Sequence, residues 1–110
     1  MKRLVLIGMF GLMLSGCGDA DINSARNVVK QQLNDPSSAD FRKEKVYHGV
    51  GEVIVCGEVN AKNGFGGYTG YTPYVVEGVN SFPSAKFSKE SELEIKITCQ
   101  LAEKNERVKP

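Results

Sequence analysis

The chain has 110 residues, enough for one small domain and too few for a multidomain enzyme. Its 14 Lys/Arg nearly balance 13 Asp/Glu, and 41% of it is apolar, an ordinary globular composition rather than that of a disordered chain. That balance gives nucleic-acid binding no electrostatic support, and three Cys with one His leave no room for a zinc-finger framework.

The N-terminus reads as an export signal. Met1-Lys2-Arg3 is a short basic segment, and Leu4 to Leu14 is an apolar run broken only by Gly8 and Gly11. The run is about half of the ~20 residues that a helix needs to cross a bilayer, so it fits a signal peptide better than a permanent span. It ends at Leu14-Ser15-Gly16-Cys17. A general signal peptidase accepts small residues of this kind, and that reading leaves Cys17 as a free thiol.

In this position, however, the tetrapeptide resembles the lipobox of bacterial lipoprotein precursors. The resemblance implies that residues 1–16 are removed and that Cys17 is lipidated and becomes the first mature residue. Residues 17–20 would then be a short tether to a membrane. Each buried methylene contributes roughly 0.8 kcal/mol, so two or three acyl chains anchor stably where one would not. An Asp after the Cys would imply inner-membrane retention; Gly18 stands there instead and implies the outer membrane. Without Lys2 and Arg3 the mature chain has 12 basic residues against 13 acidic ones.

Removing Cys17 from the count leaves Cys56 and Cys99, an even pair in an oxidising compartment. Neither lies in a Cys-x-x-Cys motif or a basic neighbourhood, so the reading is a structural disulfide rather than a redox pair. Closing a loop of about 40 residues contributes roughly 4 kcal/mol in the chain-entropy account.

From Asp21, the residues Ile22, Ala25, Val28, Val29 and Leu33 recur at three- and four-residue steps, which predicts an amphipathic helix of about three turns. Asp19 or Asp21 suits its N-terminus, and Asn34-Asp35-Pro36 should stop it. Asp35 followed by Pro36-Ser37-Ser38 then reads as a cap and a single short helical turn. Phe41 to His48 predicts a first strand and Glu52 to Val59, rich in Val and Ile, an interior one. Tyr68 to Val79 predicts a third strand, with Pro73 placing its first half at an edge or a bulge. Asn80 to Lys89 reads as a connection.

Leu93, Ile95, Ile97, Cys99 and Leu101 alternate strictly with Glu94, Lys96, Thr98 and Gln100. That is the pattern of a strand with one wet face, and it would let the disulfide staple two strands through the core. The expectation is therefore one α+β domain over 21–102. In it an N-terminal amphipathic helix packs on a small antiparallel sheet of about four strands with one disulfide, followed by a flexible tail over 103–110.

The most unusual stretch is Asn60 to Tyr74, where Phe65, Tyr68, Tyr71 and Tyr74 recur every third residue among Gly and Asn. Tyr with Gly and Asn is the composition of adaptable recognition loops. A hairpin whose rings cover the sheet is an equal alternative, although a spacing of three keeps residues on neither face of a strand. Gly64-x-Gly66 does not continue into a dinucleotide fingerprint, because Thr69 stands where the last Gly belongs. His48 has no marked nucleophile beside it, and Glu90, Glu92 and Glu94 read as a solvated edge rather than a calcium site. No catalytic residue, metal ligand or cofactor follows from the sequence, and no small-molecule substrate or nucleic-acid partner.

The segment Val55-Cys56-Gly57-Glu58-Val59-Asn60-Ala61-Lys62-Asn63, continued by Gly66-Gly67-Tyr68 and Tyr71-Thr72-Pro73-Tyr74, resembles small exported proteins of Gram-negative bacteria and their prophages. In size, anchor and disulfide the chain is also similar to the superinfection-exclusion lipoproteins of tailed phages. That likeness implies a non-enzymatic module, anchored through Cys17, that occludes an outer-membrane receptor. The alternatives are an inhibitor of a periplasmic enzyme such as a lysozyme, or an envelope assembly lipoprotein.

Overall fold

In the computed structural model, residues 20–49, 51–88 and 90–108 are described, the last three without their side chains. The expected leader, the expected lipobox with Cys17 and nearly all of the expected tether lie outside these residues. A first helix, α1, covers 20–30. It is followed by a 3-10 turn at Pro36–Ser38 and four strands: β1 (Asp40–Gly49), β2 (Glu52–Asn60), β3 (Thr72–Glu77) and β4 (Ser84–Phe87). A long helix, α2 (Glu92–Val108), closes the chain. The strands form one antiparallel sheet in the order β1-β2-β3-β4. The class is α+β with one disulfide, as the composition and patterning predict.

Helix α1 packs as its spacing requires. Ala25 and Val29 are fully buried against Val55, Val59, Tyr74 and Val76, with Val28 and Leu33 alongside. It ends earlier than expected, at residue 30, and the next amides tighten into three-residue bonds from Gln32 to Val29 and from Leu33 to Lys30. Asp35 and Pro36 do open a separate turn, as predicted. The Ser38 hydroxyl donates to the Asp35 carbonyl oxygen at 2.7 Å, and the Ser37 hydroxyl to the Asp35 carboxylate at 2.8 Å.

The C-terminal third differs from expectation. The alternating run from Leu93 to Leu101 is helical, and the helix runs on through 103–108, the stretch assigned to a tail. The fourth strand is instead Ser84–Phe87, inside the expected connection. Hence the longer helix is C-terminal, and a second helix covers the face of the sheet that α1 leaves. Ser91 starts it: its carbonyl oxygen accepts the first helical bond, from the Ile95 amide at 2.9 Å. Glu92 and Glu94 put negative charge in the first turn, where the helix dipole favours it.

Helix α2 lies over β1 and β3, and Ile95 and Ala102 are buried against Tyr47, Cys56 and Val75. Cys56 and Cys99 are bonded, with Cα atoms 6.3 Å apart. The bridge thus ties β2 to a helix and not to another strand. Alternation within β2 and β3 serves both layers: Val55, Val59, Tyr74 and Val76 face α1, and Cys56 and Val75 face α2. Pro73 sits in an interior strand opposite Glu58, but β4 begins its pairing only at Tyr74. The missing amide hydrogen of Pro73 therefore costs no ladder bond on that side.

Candidate functional site

The four aromatic residues of the 60–74 segment separate into different roles. Tyr74 is fully buried in the core, so it is not available as a contact residue. Tyr71 is half-buried at the base of the loop. Tyr68 is 54% exposed and Phe65 99% exposed. The candidate site is therefore the β2–β3 loop, residues 61–71, with Phe65 at its tip.

Hydrogen bonds fix this loop. A bridge between Lys62 and Tyr68 closes a short hairpin. Within it the Asn63 side-chain oxygen accepts from the Phe65 amide at 2.9 Å and the Gly67 amide at 3.2 Å. The Asn63 carbonyl oxygen accepts from the Gly66 amide at 3.0 Å, and the Asn63 amide donates to Gly67 at 2.9 Å. Gly66 has φ +82°, a backbone state that a side chain would strain. Asn63 thus serves as the inner frame of the tip.

The base is tied to the segment ahead of β1. The Lys62 amide donates to the Ser38 hydroxyl at 2.9 Å, and the Tyr68 hydroxyl donates to the Ser38 carbonyl oxygen at 3.1 Å. The Gly70 amide donates to the Asn60 side chain at 3.0 Å. The Tyr71 hydroxyl donates to the Asp40 carboxylate, and the Arg42 guanidinium lies 3.5 Å from the centre of the Tyr71 ring. The hydrogen bond to Asp40 raises the Tyr71 phenol above its ordinary pKa. Stacking of this kind fixes a ring at little entropic cost. The result is a loop without regular structure whose fully exposed tip ring stands on a pinned backbone.

Beneath the loop lies a group that sequence reading missed. The Tyr74 ring crosses over Gly57 on β2, and its hydroxyl donates to Glu44 on β1 at 2.7 Å. Glu44 also accepts from Arg26 of α1, whose Nε stands 2.9 Å from Oε2. The Phe41 ring meets Tyr74 edge-on at 5.8 Å and lies 5.2 Å from the Arg26 guanidinium. A bulge between Arg42 and Lys45, with Lys43 at φ 55°, turns Glu44 inward until its side chain is 7% exposed.

Burial alone would raise the Glu44 carboxyl, but hydrogen bonds from Arg26 and Tyr74 and the Arg26 charge outweigh it and hold it below its ordinary value. Burial, then the hydrogen bond to Glu44 and its charge, drive the Tyr74 phenol far above the ordinary range. Gly57 is what admits the ring. A Cβ there would stand 2.8 Å from Tyr74 Cε2 and 2.9 Å from Glu44 Cγ. That requirement was the one trace of the group visible in the sequence.

Two shallow hollows flank these features. One of about 180 Å³ lies between the end of α1 and the loop, lined by Leu33, Val59, Lys62, Thr72 and Phe87 among others. The other, of about 240 Å³, lies between β1 and α2, with Lys43, Lys45 and Lys96 at its rim and Ile95 and the disulfide at its floor. His48 is exposed near the end of β1. Glu92 pairs with Lys96 at 3.1 Å and Glu94 with Lys86, both solvent-facing in the first turn of a helix rather than along a strand edge. Among the described residues no His, Cys, Asp and Glu group is arranged to hold a metal ion, and no helix is long and apolar enough to cross a membrane. Compared with family models, curated proteins and solved structures, the chain matches none.

Proposed function

We propose that the protein is a non-enzymatic, lipid-anchored interaction module that engages a protein partner through the tip of the β2–β3 loop. The observation that carries this reading is Phe65, a large apolar ring exposed to 99% on a backbone held by Asn63, Asn60 and Ser38. An exposed aromatic ring has a hydration cost, and a pinned loop loses little further entropy on binding; together these favour association. Gly64 and Gly67 strengthen the argument. A Cβ at either position would meet nothing within 4 Å, and neither has the positive φ of Gly66. The fold does not require glycine there, whereas a partner closing on the bare backbone does.

The anchor fits this geometry. Loop 61–71 lies near the turn that follows α1, where Gln32, Leu33 and Asn34 line one hollow with Lys62 and Asn63. The N-terminal end of α1, next to the proposed lipid on Cys17, stands a helix length of roughly 15 Å away. Confinement to one leaflet raises the effective concentration, so a modest contact at Phe65 is enough to occupy a membrane receptor. The most concrete form of the function is exclusion of an infecting phage by occlusion of its outer-membrane receptor.

The test is plating efficiency of a panel of phages, each with its own receptor, on a Gram-negative host producing the full chain. Loss of plating for phages that share one receptor, weakened by Cys17→Ser, is the expected result. Undiminished plating across the panel, with the acylated protein abundant in the envelope, would overturn the occlusion reading. A soluble one-to-one complex with a lysozyme, surviving removal of the anchor, would redirect it to enzyme inhibition.

A further inference from the structure

The two ends of the sheet present different surfaces. Loop 61–71 joins β2 to β3 at one end, and because neighbouring strands are antiparallel, the β3–β4 turn lies at the other. That turn, Gly78-Val79-Asn80-Ser81-Phe82-Pro83, runs into Ser84 and Ala85 without a single charge. Asn80 to Ser84 are all exposed, and Phe82 is 93% exposed.

The backbone of the turn is fixed. Gly78 has φ +68°, and a Cβ there would stand 2.8 Å from the Phe82 carbonyl oxygen. The Gly78 carbonyl oxygen accepts from the Ser81 amide at 3.0 Å, and the Val79 amide donates to the Val53 carbonyl oxygen at 3.1 Å. Val79 also packs against the core beneath α1. The ring of Phe82 is thus displayed by a built turn.

Helix α1 begins at this same end. Arg26 bonds to Glu44, midway along β1, while Gln32 and Leu33 reach the hollow beside Val59 and Thr72 at the loop end. The helix therefore runs toward loop 61–71, and residue 20 lies about 9 Å behind Arg26, in the direction of the β3–β4 turn. Gly18 and Asp19 separate residue 20 from Cys17, a span of about 10 Å at full stretch. A membrane surface that holds Cys17 is accordingly at the Phe82 end of the molecule and remote from Phe65.

Given the attachment through Cys17 proposed above, on which this reading rests, we infer that Phe82 is a second membrane contact. The β3–β4 turn seats its ring in the interfacial layer of the bilayer that anchors the chain, and the domain stands with loop 61–71 pointing away from the lipid. An acyl anchor limits distance but not orientation; a second apolar point at the same end sets both. Charge plays no part in it. Asp21 and Glu52 lie at this end and would be repelled by an anionic surface, so the ring and its uncharged turn make the contact.

The chain has no Trp, so a single one reports on its own surroundings. Phe82→Trp and Phe65→Trp, each in the full chain produced in a Gram-negative host, are reconstituted into phosphatidylcholine vesicles whose acyl chains are brominated near the headgroup. Emission from Phe82→Trp should move to shorter wavelength and be quenched severalfold more than that from Phe65→Trp, which should emit as in water. A chain that floats with the vesicles while the two variants are quenched equally overturns the inference and leaves the anchor standing. A shift at position 82 without bromolipid quenching means that protein rather than lipid covers the turn, and overturns it as well. A chain that does not float removes the anchor and the inference together, so the two failures are distinct. Amide exchange of the unaltered chain supplies a reading free of substitutions. Vesicles should slow exchange across 80–84 and not across 64–67, and equal behaviour of the two stretches contradicts the contact.

Discussion

The two faces of the sheet are closed by different chemistry. On the α1 side a well-filled apolar core surrounds the Arg26–Glu44–Tyr74 group, and every contact is non-covalent. On the α2 side the helix contributes one large buried side chain, Ile95, together with Ala102 and Cys99, and a covalent bond supplements them. A helix that turns Leu93, Ile97 and Leu101 outward has little apolar area left for the sheet, so the disulfide carries much of its attachment. Oxidation should therefore govern one face and protonation the other.

Removing the bridge by the double change Cys56→Ser, Cys99→Ser should have the largest effect. The chain-entropy account gives a loss of about 4 kcal/mol. Amide exchange should rise first across 92–108 while β2 and β3 stay protected. Simultaneous loss of protection on both faces would show that the two are not separable.

The next effect should come from the other face. Gly57→Ala forces the Tyr74 ring away from Glu44, and overpacking of this kind costs about 1–3 kcal/mol. Urea denaturation should show it with the disulfide intact, and a midpoint unchanged from the parent would argue against the close approach.

The pH dependence is smaller and sharper in its logic. Glu44 is held below its ordinary value near 4.5, so its contribution is complete above that pH and is lost as pH falls through the lower folded value. Tyr74 is held above its ordinary value near 10, so its contribution is complete below pH 10 and is lost as pH rises beyond it. Glu44→Gln should therefore flatten the acid limb of the melting profile, and Tyr74→Phe the alkaline one. The disulfide adds no such limb, because bonded cysteines do not titrate.

The sequence made some of this architecture readable and hid the rest for identifiable reasons. Ala25, Val28 and Val29 betrayed α1, and the Val- and Ile-rich run of β2 betrayed an interior strand, because each pattern has one periodicity. The Leu93–Leu101 run misled because period two on a helix, seen only from within the chain, is indistinguishable from period two on a strand. Ser91-Glu92-Leu93-Glu94 has the Ser-x-x-Glu spacing of a helix start, the one local sign in the sequence that a helix begins there. Strand β4, four residues long, has too short a pattern to read. At the site, the spacing of Phe65, Tyr68, Tyr71 and Tyr74 marked the loop. It could not say that Tyr74 turns inward, because that depends on Gly57 and Glu44 from two other strands.

Phe65 tests the functional account most directly, because it combines full exposure with no packing role. Phe65→Ala in the full chain should leave the melting temperature and expression level unchanged, within about 0.5 kcal/mol of stability. It should also restore plating of the excluded phages. Full exclusion retained at equal expression, with the ring gone, would contradict the claim that this loop makes the contact.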